Sequence, residues 1–289
     1  MRYSIIISNP ASRAFSPAKM DRAEHLLRQH GFRTVVRFTA HRGHATVLAR
    51  NALREKPYCI IAAGGDGTIN EVVNGMARSD IPLGILPLGT TNVLAREISI
   101  PLDTDSAASR LVSGTPREIS LGRIITPSQD RYFCLMAGVG FDAKTVHDVN
   151  GTLKRFSGEA AYIWSGVSNL LSYAPQKISC TVDGKEYTGY SAIIGKARRY
   201  GGDYMATPDA DICDPSLYLC LLTDKSRSAL LRFALGIVRG THLKDPHVVY
   251  VRAREIDVQG HAYIQLDGDL FGETPARIVT EPHALRLIQ

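Results

Sequence analysis

The pattern of apolar and polar positions changes near residue 120. Before that point, short apolar runs alternate with stretches of helical period, and the run at 58–63 is apolar almost throughout, as in a strand buried on both faces of a sheet. The pattern predicts strands at 3–8, 32–39, 58–63 and 83–86, and helices at 17–31, 44–55, 92–97, 103–113 and from Thr68 onward. In the helix at 44–55, the predicted buried face is formed by Ala45, Val47, Leu48 and Leu53. This alternation predicts an α/β domain with a parallel sheet in three layers.

After residue 120 the pattern becomes one of short strands separated by turns. The predicted strands are 117–125, 131–137, 177–183, 187–195, 217–223, 247–251, 254–258, 263–267 and 276–279. Asp183-Gly184 between two of them is a hairpin signal, and helices are predicted at 142–149, 156–173 and 227–239. We therefore expect a mostly antiparallel β-sandwich at 121–280 after an α/β domain at 1–120, with 280–289 as a candidate to rejoin the first domain.

Composition indicates a globular protein with two domains and anionic partners. The chain has 289 residues, of which 44% are hydrophobic and 21% charged, and its formal net charge is +6. The positive surplus favours nucleotides or an anionic membrane face, whereas nucleic acid is disfavoured because no basic motif is interleaved with aromatic residues. No apolar run reaches the roughly 20 residues that span a bilayer. The five scattered cysteines suit reduced, buried thiols, so we expect a cytoplasmic protein.

The most informative motif is Gly64-Gly65-Asp66-Gly67-Thr68, which follows the apolar run at 58–63. Glycines lack Cβ atoms, so they can adopt positive φ and let backbone N–H groups approach a phosphate closely. Thr68 and Glu71 have the spacing of a capping box, which predicts that the next helix begins there and adds its positive dipole end. Asp66 suits a metal, a water or a substrate proton. The plainer alternative is a tight strand-to-helix turn in which Asp66 serves turn geometry.

A second loop repeats this plan. Ile85-Leu86-Pro87-Leu88 is followed by Gly89-Thr90-Thr91-Asn92 and a helical stretch. Ligands bind beyond the carboxyl ends of parallel strands, so both loops are expected to present hydrogen-bond donors at one edge of the sheet.

Six landmarks occur in order along almost the whole chain. They are Asn9-Pro10, Gly64 to Gly75, Gly89 to Asn92, Gly138 to Ala143, Gly201-Gly202 leading to Pro208-Asp209-Ala210, and Asp267-Gly268-Asp269. Together they resemble the diacylglycerol kinase catalytic family, in particular its bacterial lipid kinases, with sphingosine kinases as more distant relatives. The resemblance implies ATP-dependent phosphorylation of a lipid hydroxyl with Mg²⁺, in a cleft between an α/β domain and a β-sandwich. It implies a nucleotide site lined by Asn9, Thr39, Gly64, Gly65, Asp66, Gly67, Thr68, Asn70, Glu71, Thr90 and Asn92.

The resemblance also points to two catalytic acids. Asp66 lies in the glycine loop, and Asp269 stands where the bacterial enzymes usually carry Glu, so its side chain is one methylene shorter. A shift of about 1 Å in a reacting group can cost catalysis heavily, which makes this substitution important for function. The alternative for Asp267-Gly268-Asp269 is a polar bend at the end of a strand.

A structural Mg²⁺ site is implied in the loop from Pro208 to Ser216. The resemblance assigns the backbone carbonyls of Asp211 and Ser216 and the carboxylate of Asp214 as ligands, and such oxygen ligands suit this ion. Here Asp214-Pro215 replaces the family's Asp-Gly, so an acidic turn is the alternative.

Three functions follow as hypotheses. The leading one is a lipid kinase at the inner membrane face, acting on diacylglycerol, a monoacylglycerol, a sphingoid base or phosphatidylglycerol. An NAD kinase shares the Gly-Gly-Asp-Gly-Thr loop, but the loop at 89–92 and the run at 138–143 favour the lipid kinase. A nucleotide-binding regulator without transfer activity is the third, motivated by Asp269. Bacterial relatives are often dimers, so a second copy of the chain is a candidate partner, and the helix at 156–173 is a candidate wall for acyl chains or a part of the core.

Overall fold

The first part of the chain forms the predicted α/β layers. The fold was obtained as a computed structural model, which describes residues 1–141, 143 and 175–289. The strands are β1 (Arg2–Ser8), β2 (Phe32–Phe38), β3 (Cys59–Gly64) and β4 (Leu83–Pro87). The helices are α1 (Pro17–Gln29), α2 (His44–Leu53), α3 (Asp66–Met76), α4 (Val93–Glu97) and α5 (Thr104–Ser113).

The order of the parallel strands creates a natural ligand site. The strands lie in the order β2-β1-β3-β4, and all neighbouring pairs are parallel. The chain leaves β1 for β2 on one side and then crosses to β3 on the other, so the winding reverses between β1 and β3. In open α/β sheets, ligands bind beyond the carboxyl ends of the strands at this reversal. Every residue of β3 is buried, as expected of a sheet covered on both faces.

Helix α2 buries the predicted face only in part. Its buried residues are Ala45, Ala49 and Ala52, whereas Val47 is 50% exposed. The reason is close packing against α3, since a Cβ on Gly75 would lie 2.5 Å from the Cβ of Ala49. Small side chains therefore fill this contact, while Leu48 and Leu53 of the predicted face are partly buried against the same core.

The described residues of the second part of the chain form fourteen strands. They are β5 (Pro116–Ile125), β6 (Asp130–Phe133), β7 (Met136–Gly140), β8 (Ile178–Val182), β9 (Lys185–Gly189), β10 (Ser191–Gly195), β11 (Arg199–Gly201), β12 (Tyr204–Met205), β13 (Leu217–Leu222), β14 (Val248–Ala253), β15 (Glu255–Gly260), β16 (Tyr263–Leu266), β17 (Asp269–Glu273) and β18 (Ala276–Ile288). The predicted hairpin joins β8 to β9, with positive φ at Asp183 and Gly184. The predicted strands 131–137 and 187–195 are each two strands with a break between them.

Two sheets enclose the core of this second part. One has the order β14-β13-β10-β7-β16-β17, and all of its pairs are antiparallel. Its inner residues, such as Val139 and Ile194, pack with Ile256 and Ile278 of β15 and β18 in the other sheet. The predicted fold class, a parallel α/β domain followed by a mostly antiparallel sandwich, is confirmed.

The last strand links the two parts. β18 runs antiparallel to β5 and β15, and near its end Leu287 pairs in parallel with Leu83 of β4. The large sheet is therefore continuous from β2 to β9. The domain boundaries at residues 120 and 280 stay a prediction.

The described helices of the second part are few. Helix α6 (Arg227–Arg239) has the predicted bounds, and a short 3₁₀ helix follows at His242–Lys244. The predicted helices at 142–149 and 156–173 lie outside the described residues, apart from Ala143. Among the helices that are described, none combines the length and apolar character needed to cross a bilayer. The five cysteines are free thiols, and all except Cys213 are buried.

Candidate active site

The carboxyl ends of the four parallel strands bring the predicted nucleotide residues to one edge. Asn9 follows β1, Thr39 follows β2, Gly65 follows β3 and Gly89 follows soon after β4. The ends of β3 and β4 are joined by a hydrogen bond from the Leu88 N–H to the Gly64 carbonyl, at 2.8 Å. The sequence predicted this convergence of the two glycine loops.

The two glycine loops touch through their backbones. A Cβ on Gly89 would lie 2.5 Å from the Cα of Gly65, so only glycine permits this approach. The expectation of positive φ in the first loop is wrong, because the φ of Gly65 is −88° and neither Gly64 nor Gly67 is in the left-handed region. The left-handed residue is instead Asn92, with a φ of 50°.

Side chains within the loops mainly hold the loops themselves. The Asn92 amide bridges the backbone of Gly89, accepting from its N–H at 2.9 Å and donating to its carbonyl at 3.1 Å. The Asn9 amide nitrogen donates to the buried Thr68 hydroxyl at 3.1 Å. Thr90 is exposed beside Gly89, and Thr39 is half-buried at the end of β2.

The capping box predicted for Thr68 and Glu71 is not formed. Helix α3 begins at Asp66, its N-cap is Gly65, and no side chain caps it. Glu71 instead accepts from the N–H groups of Gly43 and Ala45, at 2.7 and 3.1 Å. These donors lie at the N-terminus of α2, so Glu71 caps the neighbouring helix and fixes the segment that follows β2.

Asp66 is half-buried between the two loops. Its Oδ1 accepts from the Leu94 N–H at the start of α4, at 3.2 Å. Burial raises the pKa of Asp66, the Leu94 N–H partly offsets this, and the nearby Asp267 carboxylate raises the pKa further. Ionised Asp66 is therefore costly in the protein alone, and a cation beside it would remove much of that cost.

Asp267 was predicted only as part of the Asp267-Gly268-Asp269 landmark, and its own role in the site was not predicted. It begins the turn between β16 and β17 with a φ of 48°, and its carboxylate accepts from the N–H groups of Cys134, Leu135 and Met136 at 2.8–2.9 Å. Burial raises the pKa of Asp267, although these donors oppose the shift. The break between β6 and β7 directs the three N–H groups toward the Asp267 carboxylate, and no sequence pattern marks that break.

Asn70 connects this turn to the nucleotide edge. Its buried amide donates to the Asp267 carboxylate at 2.8 Å and accepts from Arg131 Nη2 at 2.6 Å. Asn74, one turn further along α3, accepts from the Tyr132 N–H at 2.9 Å. Asn70 thus joins α3 to the second part of the chain, a role that the sequence did not reveal.

Asp269 lies at the same edge, where its carboxylate forms ion pairs with two arginines. Its Oδ1 lies 3.1 Å from Arg42 Nη2, and its Oδ2 lies 3.7 Å from Arg131 Nη2. Arg42 belongs to the segment that follows Thr39, which Glu71 holds in place. The two candidate catalytic acids therefore both belong to the edge where β1 to β4 end.

Two of the three predicted Mg²⁺ ligands, the Asp211 carbonyl and the Asp214 carboxylate, are engaged by protein cations. The carbonyl oxygens of Asp211 and Asp214 accept from the Lys196 ammonium, and the Asp214 carboxylate pairs with Arg252 at 2.7 Å. Burial lowers the pKa of Lys196 to about 8, while the charges of Asp211 and Asp214 oppose that shift. The residues present therefore do not fit a structural Mg²⁺ in this loop.

Glycine loops lie at the winding reversal of a parallel α/β sheet, and this sheet is joined to an antiparallel sandwich that supplies acids. This combination defines a two-domain kinase-like fold. The model of the diacylglycerol kinase catalytic domain matches residues 3–124, and that of the YegS C-terminal NAD kinase beta sandwich-like domain matches residues 136–289. The chain belongs to the diacylglycerol kinase catalytic family, a family of lipid kinases.

Individual relatives agree with this assignment. A protein named diacylglycerol kinase from Bacillus subtilis (strain 168) is 33% identical, over 96% of this chain and 93% of its own. Another of that name, from Staphylococcus aureus (strain JH9), is 30% identical over 95% of this chain and 88% of its own. The fold is also similar to that of a diacylglycerol kinase from Bacillus anthracis str. Sterne, with a TM-score of 0.78 at 20% identity, covering 99% of this chain and 96% of that one.

Gly89→Ala tests the contact between the two loops. The added Cβ would collide with the Gly65 backbone, so we expect a loss of about 1–3 kcal/mol in the free energy of unfolding, measured by denaturant titration. Gly67→Ala is the matched control, because a Cβ there meets nothing within 4 Å and alanine favours the helix. Equal stability of the two variants would show that the loops do not touch.

Asp267→Asn tests the hydrogen bonds that three backbone N–H groups donate to the Asp267 carboxylate. The new amide nitrogen would face donors instead of accepting from them, so we expect a loss of about 1–3 kcal/mol in unfolding free energy. Asp269→Asn, two residues later, removes only half-exposed ion pairs and should cost about 1 kcal/mol or less. If Asp269→Asn proved the more damaging of the two, this description of the turn would be wrong.

Proposed function

We propose that the protein transfers the γ-phosphate of ATP to a hydroxyl group of a lipid. The observation that carries this proposal is the pair of touching glycine loops at the winding reversal, with Asp66 between them. The names of the relatives support diacylglycerol as the first lipid to test.

The phosphates of ATP would lie against the start of α3. The Ile69 N–H is the first to bond within the helix, to the Gly65 carbonyl at 3.0 Å. The N–H groups before it have no partner within the helix, and together with the helix dipole they favour an anion. Gly67 is exposed and a Cβ there would face open space, so a phosphate can approach the backbone.

Asp66 is the acid best placed to hold Mg²⁺ that arrives with ATP. Burial, followed by the nearby Asp267 carboxylate, raises the pKa of Asp66, and a hard divalent cation matches its oxygen atoms. The bound ion would neutralise charge on the phosphates. Asp267 is unsuited to direct contact because three N–H groups and Asn70 already occupy its carboxylate.

Asp269 is the second candidate catalytic acid, as the acceptor of the lipid hydroxyl proton. Arg42 and Arg131 form ion pairs with its carboxylate and so orient it. Arg42 is 67% exposed, so it can exchange this contact for a phosphate oxygen when the nucleotide binds. Such positioning and neutralisation supply most of the rate enhancement in phosphoryl transfer.

Asp66→Asn tests the role of the loop acid. We expect turnover to fall roughly 100-fold or more while ATP binding and the fold persist, because the variant removes a charge needed chiefly during transfer. The assay uses radiolabelled ATP with diacylglycerol, monoacylglycerol, a sphingoid base, phosphatidylglycerol and NAD. Asp80→Asn, an exposed acid before β4, is the control and should retain full activity.

The same assay separates the competing functions. Label in a lipid supports the proposal, whereas label in NAD alone would identify an NAD kinase. ATP binding measured by calorimetry, without label in any acceptor, would identify a nucleotide-binding regulator.

We also propose that helix α6 carries the protein to an anionic membrane face, where a lipid substrate would lie. Its inner face, which includes Leu230 and Phe233, is buried, but Leu231, Leu235 and Val238 are 38%, 39% and 44% exposed along its outer face. The helix contains three arginines and no acid. An apolar stripe flanked by arginines suits the boundary between anionic head groups and acyl chains.

Leu235→Glu tests this membrane face. A negative charge in the stripe should reduce co-sedimentation with phosphatidylglycerol-containing vesicles several-fold, because it opposes both the apolar and the electrostatic attraction. Leu102→Glu is the control, since Leu102 is also 39% exposed but lies between α4 and α5. Equal losses in the two variants would argue against α6 as the contact.

A further inference from the structure

The loop from Thr207 to Ser216 closes around a buried lysine. Lys196 directly follows β10 and its side chain is fully buried. Its Nζ donates to the Asp211 carbonyl at 2.6 Å and to the Asp214 carbonyl at 2.8 Å. Two carbonyl oxygens from one short loop therefore converge on a single ammonium group.

The carboxylates of Asp211 and Asp214 in this loop already accept hydrogen bonds from protein donors. The Asp214 carboxylate accepts from Arg252 Nη2 with both oxygens, at 3.0 and 2.7 Å. Asp211 Oδ1 accepts from the Cys213 N–H at 2.8 Å. The Ser216 hydroxyl is buried and has no hydrogen-bond partner among the residues that the structure describes. Mg²⁺ requires near-octahedral oxygen ligands at about 2.0–2.1 Å, and the Lys196 ammonium already binds the Asp211 carbonyl, which is one of the implied ligands.

We infer that the Lys196 ammonium takes the place of a divalent metal ion as the resident cation of this loop. A buried positive charge that meets carbonyl oxygens satisfies the same acceptors that a metal would. The stability of the loop is consequently independent of metal supply, whereas nucleotide binding still uses Mg²⁺ that enters with ATP.

The same lysine ties the loop to the turn that holds Asp267. The N–H groups of Lys196 and Ala197 both donate to the Leu135 carbonyl, at 2.8 and 3.0 Å. The Leu135 N–H in turn donates to Asp267 at 2.9 Å. The backbone at Lys196 is therefore connected to Asp267 through the single peptide unit of Leu135.

The test compares thermal midpoints of nucleotide-free protein in EDTA and in excess Mg²⁺. All proteins carry Asp66→Asn, so that the acid at the nucleotide edge does not contribute a metal response. With Lys196 present, the midpoint should be the same in both conditions. Lys196→Ala should lower the midpoint in EDTA by roughly 4–8 °C, and Mg²⁺ should restore part of that loss because the freed space and carbonyls accept the ion.

Two further variants separate the effect of the Lys196 charge from the effect of the space that its side chain fills. Lys196→Met keeps the length of the side chain without its charge, so its midpoint should fall and should not respond to Mg²⁺. The exposed Lys225→Ala is the control and should behave like the protein with Lys196 intact. A midpoint that rises with Mg²⁺ while Lys196 is present would overturn the inference. So would a Lys196→Ala variant that is fully stable in EDTA or indifferent to Mg²⁺. These outcomes concern the loop alone, so they do not depend on whether the protein transfers phosphate.

Discussion

The hydrogen bond between Asn70 and Asp267 is the contact on which the assembled site depends. Asn70 belongs to the helix that follows the first glycine loop, and Asp267 belongs to a turn of the sandwich. Because the Asp267 carboxylate also accepts from the N–H groups of Cys134, Leu135 and Met136, one side chain fixes the break between two strands and the neighbouring helix together. Breaking this contact would leave a buried carboxylate short of donors, a cost that grows in a low-dielectric environment.

Positive charge is supplied to the acids of this protein in two ways. Arg42 and Arg131 accompany Asp269, and the Lys196 ammonium serves the loop that contains Asp211 and Asp214. Asp66 differs, because it accepts from backbone N–H groups and has no ion-pair partner among the described residues. A carboxylate with a raised pKa at the edge of a nucleotide site is suited to a cation that arrives with the substrate.

Local patterns predicted the fold but only part of the site. The apolar run at 58–63 and the alternation of elements determine the parallel sheet, and the two glycine loops are visible as motifs because backbone contact requires glycine. Glu71 was assigned to the wrong helix, since spacing identifies a cap within one helix but not between two. The roles of Asp267 and Lys196 were not predicted, for a related reason. Their partners are backbone groups from distant parts of the chain, and those contacts leave no periodicity in the sequence.

The central claim is that the touching loops at residues 64–68 and 89–92 bind the phosphates of ATP. The most direct measurement is a crystal structure of the protein with Mg²⁺ and a non-hydrolysable ATP analogue. We expect phosphate oxygens within hydrogen-bond distance, roughly 2.7–3.2 Å, of N–H groups at the start of α3 and in the second loop. A nucleotide bound elsewhere, with these N–H groups facing only water, would contradict the account.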